Sequence, residues 1–124
     1  MWIEYNPNPC HKRIGDCVIR ALSKVFEKSW LDTYLELAIF GAVNCDMMSS
    51  DALWGKFLKT KGFTREIPSN NLYDFYTVED FCRDNPKGTF ILAVEKHVLA
   101  VVDGNYYDAW QSGDEEIIYI WSKK

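Results

Sequence analysis

Apolar and polar positions divide the chain into a helical first part and a strand-rich last part. Val18, Ile19, Leu22, Val25 and Phe26 recur at helical spacing, directly after Asp16. Asp16 suits an N-cap, since its carboxylate can accept from the free amides of a first turn. A second helix is predicted after Ser29, burying Leu31, Tyr34, Leu35 and Ala38. A third begins at Ser49 or Ser50, buries Leu53, Trp54, Phe57 and Leu58, and stops at Gly62. Thr77-Val78-Glu79-Asp80 reads as a capping box with Asp in place of Glu, opening a short helix that ends before Pro86.

Residues 2–5 read as a short edge strand, and Asn6-Pro7-Asn8-Pro9 forces an extended loop that ends at Gly15-Asp16. Phe63 to Ile67 suits another short strand. After Gly88 the pattern becomes β-prone: Thr89 to Val94, His97 to Val102, Asn105 to Trp110 and Ile117 to Trp121. Asp103-Gly104 is a strong hairpin turn between the second and third of these. The chain therefore reads as α+β, with N-terminal helices packed on a C-terminal antiparallel sheet. Its 124 residues suit a single domain spanning 1–124.

A hydrophobic content of 48% supports a packed core and argues against disorder. The net charge of −4 offers no basic stripe for phosphates, which sets nucleic acid aside as a partner. No apolar run is long enough to span a bilayer. Met1-Trp2-Ile3-Glu4-Tyr5 has neither the basic nor the apolar region of a signal peptide. Cys10, Cys17, Cys45 and Cys82 show no zinc-knuckle or redox spacing, so free thiols in a reducing cytoplasm are expected. A zinc site drawing on Cys10, His11 and Cys17 has irregular spacing and ranks far below a thiol site.

Cys17 falls in the first turn of the first helix, where the dipole and unpaired amides favour a thiolate. The adjacent Asp16 carboxylate opposes that effect. Taken alone, Cys17 reads more readily as a small buried core residue, as most free cysteines are. His97, one of only two histidines, opens an apolar strand. If Asp103-Gly104 are the central turn residues, Val102 faces Asn105 and Leu99 faces Asp108. His97 then lies diagonally from Asp108, within reach of an imidazole–carboxylate hydrogen bond. Such a carboxylate orients a catalytic base. A one-residue slip would move Asp108 to the other face. Thiol, histidine and acid together supply the roles of nucleophilic thiol catalysis.

This order resembles the papain-like cysteine peptidase superfamily, and most of all the bacteriocin-leader peptidase domains fused to bacterial peptide exporters. Those carry an Asp-Cys pair at a helix start, as Asp16-Cys17 here, then a His opening an apolar strand and an Asp on the next, as His97 and Asp108 here. The stretches from Gly15 to Leu22 and from His97 to Trp110 also look like small proteins of phages and mobile elements in Gram-positive bacteria. The resemblance implies a papain-like fold and a thiol hydrolase (peptidase, amidase or isopeptidase) that acts on a peptide or protein and needs no cofactor or metal. The glutamine that papain-like enzymes place six residues before the nucleophile is His11 here, the oxyanion candidate, with the amide of Asn8 nearby. The glycine that often follows the exporter peptidases' cysteine is Val18. A thiol acyltransferase would use the same residues. An inert papain-fold protein that binds a host or phage partner is the other alternative. Its binding surface would draw on the aromatic stretch of Tyr106, Tyr107, Trp110, Tyr119 and Trp121, with Trp110 to Gly113 at the rim of the cleft.

Overall fold

The computed structural model describes residues 1–68 and 75–123. Among them the chain is α+β. The helices are α1 (Cys17–Val25), α2 (Trp30–Val43), α3 (Asp51–Thr60) and α4 (Val78–Asp84). The strands are β1 (Trp2–Glu4), β2 (Phe63–Glu66), β3 (Thr89–Val94), β4 (His97–Val102), β5 (Asn105–Asp108) and β6 (Tyr119–Lys123). They form one sheet in the order β1-β5-β4-β3-β6-β2.

The Asp103-Gly104 turn has positive φ at both positions, 49° and 79°, the backbone hand that matches strand twist in a two-residue hairpin. It fixes Val102 opposite Asn105, Val101 opposite Tyr106 and Ala100 opposite Tyr107. Over these three pairs the register predicted from the sequence is the observed one.

The expected antiparallel sheet needs correcting: it is mixed. β1 lies at one edge as predicted, but it pairs parallel to β5, with Glu4 opposite Asp108. β6 returns beside β3 rather than β5, and β2 closes the far edge against β6. Both sheet faces are covered. Ile91, Ala93, Val98 and Ala100 pack with Leu22, Leu37, Trp54 and Leu58 of the first three helices. Leu92, Val94, Leu99 and Val101 pack with Val78 and Phe81 of α4. Central strands buried on both faces read as continuous apolar runs, as β3 and β4 do.

Two helix expectations also change. α2 begins after Ser29 as predicted, with the Ser29 hydroxyl accepting from the Asp32 N–H at 3.0 Å. Its buried residues, however, are Thr33, Leu37 and Gly41. Leu31 and Leu35 are 54% and 49% exposed, Tyr34 is exposed too, and Ala38 is only half-buried. The helix is apolar on nearly every side, so periodicity could not choose its inner face. At α1, Asp16 holds the N-cap position but makes no side-chain cap hydrogen bond. By contrast, α3 buries Leu53, Trp54, Phe57 and Leu58, and Thr77 with Asp80 forms the capping box of α4, both as predicted.

Candidate active site

Three elements meet at one end of the sheet: the start of α1 at Cys17, the start of β4 at His97 and the end of β5 at Asp108. α1 packs against β4, which brings the Cys17 thiol beside the His97 side chain and the Val98 backbone on the wall of one cleft. His97 Nε2 lies 2.7 Å from Asp108 Oδ2. A carboxylate only accepts, so Nε2 carries the proton and Nδ1 is the ring nitrogen left for Cys17.

Asp108 is 1% exposed, and its oxygens are taken on every side. Oδ1 accepts from the Ala109 N–H at 2.8 Å and from Arg20 Nη2 at 3.4 Å. Oδ2 accepts from the Ser112 hydroxyl at 2.6 Å as well as from His97. The backbone is held too: the Asp108 carbonyl receives the Tyr5 N–H at 2.9 Å and Trp2 Nε1 at 3.1 Å, both from the β1 region. Full satisfaction of a buried carboxylate locks its rotamer, and so the plane in which His97 sits.

Asp16 has a different role from the one its position suggests. Oδ1 pairs with Arg20 one turn along α1, and Oδ2 accepts from Trp30 Nε1 at 2.8 Å. Arg20, only 4% exposed, thus bridges Asp16 and Asp108 with its two terminal nitrogens. The pairing offsets the repulsion that the Asp16 carboxylate would exert on a thiolate at Cys17. It also leaves the first-turn amides of α1 without a side-chain cap.

The thiol and the imidazole shift in opposite directions. Burial pushes the Cys17 thiol up, but hydrogen bonds from His97 and the Val98 backbone, with the charges of His97 and Arg20, bring it below the ordinary thiol value. Burial pushes His97 down, but the hydrogen bonds and charges of Asp108 and Cys17 outweigh it and raise it to about 9. Both shifts favour a thiolate–imidazolium pair. His97 therefore contributes stability in full below its ordinary value of about 6.5, and that contribution is lost as pH rises through about 9. Cys82, buried in α4, is pushed the other way by burial, up to about 11. NMR of the imidazole carbons should show His97 titrating near 9, and Asp108→Asn should bring the midpoint down towards or below the ordinary value.

Trp110 stacks on His97 with ring centroids 4.4 Å apart and planes inclined by 29°. Arg20 also lies 5.4 Å from the centroid of the Trp110 ring, so the indole roofs the imidazole from solvent. A cleft of about 350 Å³ opens beside Cys17 and His97, walled by Val18, Trp54, Val94 and Tyr119.

The sequence-predicted Cys17, His97 and Asp108 are therefore brought together. His11 is not part of the group: it is exposed, with φ at 53°, its N–H donates to the Asn8 carbonyl at 2.9 Å, and it does not line the cleft. Asn8 is buried, its side-chain oxygen occupied by the Cys10 N–H at 2.8 Å. Of the C-terminal aromatics, Tyr106 and Trp121 are core, and Tyr107 and Tyr119 are half-buried. Only Trp110 stands out, at 46% exposure. The sequence places Ser112 at the rim but gives no sign that it or Arg20 holds Asp108; for Arg20 the available signal is its spacing of one helical turn from Asp16. Among the described residues no group of three or more His, Cys, Asp or Glu is arranged to hold a metal ion, and no helix is long and apolar enough to cross a membrane. Compared with known proteins, the chain matches no family model, no curated protein and no solved structure.

Proposed function

We propose that this protein is a thiol hydrolase of papain-like architecture, cleaving an amide bond in a peptide or protein with Cys17, His97 and Asp108. The observation that carries the reading is the placement of one imidazole between a thiol and a buried carboxylate. The thiol is lowered and the imidazole raised by each other's presence. Core cysteines usually lack such partners.

His97 Nδ1 takes the thiol proton, and Cys17 Sγ attacks the carbonyl carbon, forming a C–S bond. The developing oxyanion is steadied by first-turn amides of α1, beginning with that of Cys17. The C–N bond breaks as His97 returns its proton to the leaving amine. A water that loses its proton to His97 then attacks the thioester. The acid departs, and the thiolate–imidazolium pair is restored. An amine in place of that water would make the reaction an acyl transfer.

Peptide vinyl sulfones, whose β-carbon takes a thiolate, test this reading by mass mapping. The label should collect on Cys17, and labelling should fall in His97→Ala. Preferential labelling of the exposed Cys10 or Cys45 would overturn it.

A second reading, of a partner-binding protein, is favoured by one observation. Leu31, Leu35, Ile39 and Val43 follow one another at four-residue steps along α2, each at least 49% exposed. Binding that survives Cys17→Ala would support it.

A further inference from the structure

We infer that a pocket beside the nucleophile takes one leucine-sized aliphatic side chain of the substrate, and that this sets the cleavage specificity. The inference rests on Cys17 being the residue that is acylated. The pocket has a volume of about 150 Å³ and is lined chiefly by Ile14, Val18, Ile19, Trp30, Tyr34 and Met48. It adjoins the Cys17 cleft, because Gly15, Val18 and Ser49 line both. A Cβ built at Gly15, on that shared wall, would meet no atom within 4 Å. A substrate chain lying across Cys17 can thus drop a neighbouring side chain into the pocket without displacing protein.

The chemistry of the walls selects an apolar occupant. Asp16 reaches the lining, but its charge is already paired with Arg20 and its other oxygen accepts from Trp30, so the pocket presents no unpaired anion to a cationic side chain. Trp30 is fixed by that hydrogen bond and by stacking on Tyr34, with centroids 5.1 Å apart and planes inclined by 26°. A wall already held in place costs little to order when a ligand arrives. Size sets the upper limit, since an apolar cavity of roughly 150 Å³ accommodates a molecule about as large as benzene. The same wall ties the pocket to the catalytic group through Trp30, Asp16, Arg20 and Asp108, an unbroken line of hydrogen bonds and ion pairs.

Two pairs of N-acetyl dipeptide vinyl sulfones test the assignment on the intact protein. One pair carries Leu or Gly at the residue bearing the warhead, and the other carries them at the residue before it. In one pair the Leu compound should label Cys17 about 10–100-fold faster than the Gly compound, the range expected for filling an apolar pocket. Met48→Trp, which fills the pocket, should bring that ratio close to one. Tyr34→Ala, which enlarges it, should move the preference from Leu towards Trp. Iodoacetamide, too small to use the pocket, reads the thiol by itself. Equal Leu and Gly rates in both pairs, with Cys17 still faster than free cysteine towards iodoacetamide at about pH 6, would overturn the pocket and leave the hydrolase reading standing. A Cys17 no faster than free cysteine would overturn the hydrolase reading, and the pocket with it.

Discussion

Replacing His97 with alanine should lower amide turnover by about 10²–10⁴-fold, the usual span for a positioned general acid–base group. The loss has two parts, and two chromogenic acyl donors separate them. p-Nitrophenyl acetate releases a phenolate that needs no proton, so its acylation burst reports only thiolate formation at Cys17. A peptide p-nitroanilide must also have its leaving amine protonated, so it loses both contributions. The ester should therefore fall less than the anilide. Equal losses on the two would mean that His97 only activates the thiol. Undiminished anilide turnover would remove His97 from the chemistry altogether.

Arg20→Leu should be the most damaging single change to stability. Arg20 is buried, and its two terminal nitrogens serve two carboxylates, Asp16 and Asp108, which are 5% and 1% exposed. Leucine fills part of the space but leaves Asp16 buried with no cation and Asp108 with His97 as its only one. Removing one partner of a buried ion pair costs about 3–5 kcal/mol. For a domain of this size that lowers Tm by roughly 10–20 °C. Differential scanning calorimetry reads the shift. Arg20→Lys should recover only part of it, because an ammonium cannot reach both acids as the planar fork does. A loss within about 0.5 kcal/mol, the range of an ordinary surface change, would mean that the cluster is solvated and the bridge unimportant.

The candidate triad was legible because each member is specified locally. Cys17 follows an N-cap residue, and the Asp103-Gly104 turn sets a register from which the His97–Asp108 pairing follows by counting. What surrounds the triad was not legible, because it depends on which elements meet in space. Nothing near residues 2–4 or 119–123 says that β1 runs parallel to β5 or that β6 docks on β3. Asp16 was misread for a related reason. An aspartate before a helix caps its amides unless stronger partners compete. Here the guanidinium of Arg20 lies one turn away and Trp30 approaches from α2. The inner face of α2 was hidden by apolar residues on both sides of Leu37. His11 was named from a resemblance in spacing, and the loop that carries it turns it into solvent.

Pairing of a Cys17 thiolate with His97 is read by the pH dependence of iodoacetamide alkylation at Cys17, followed by peptide mass mapping. Buried Cys82, pushed up to about 11, serves as an inert internal reference. Cys17 should alkylate below the ordinary thiol midpoint of about 8.5, and His97→Ala should return its profile to that range. A Cys17 profile that follows an ordinary thiol, unchanged by His97→Ala, would contradict the pairing.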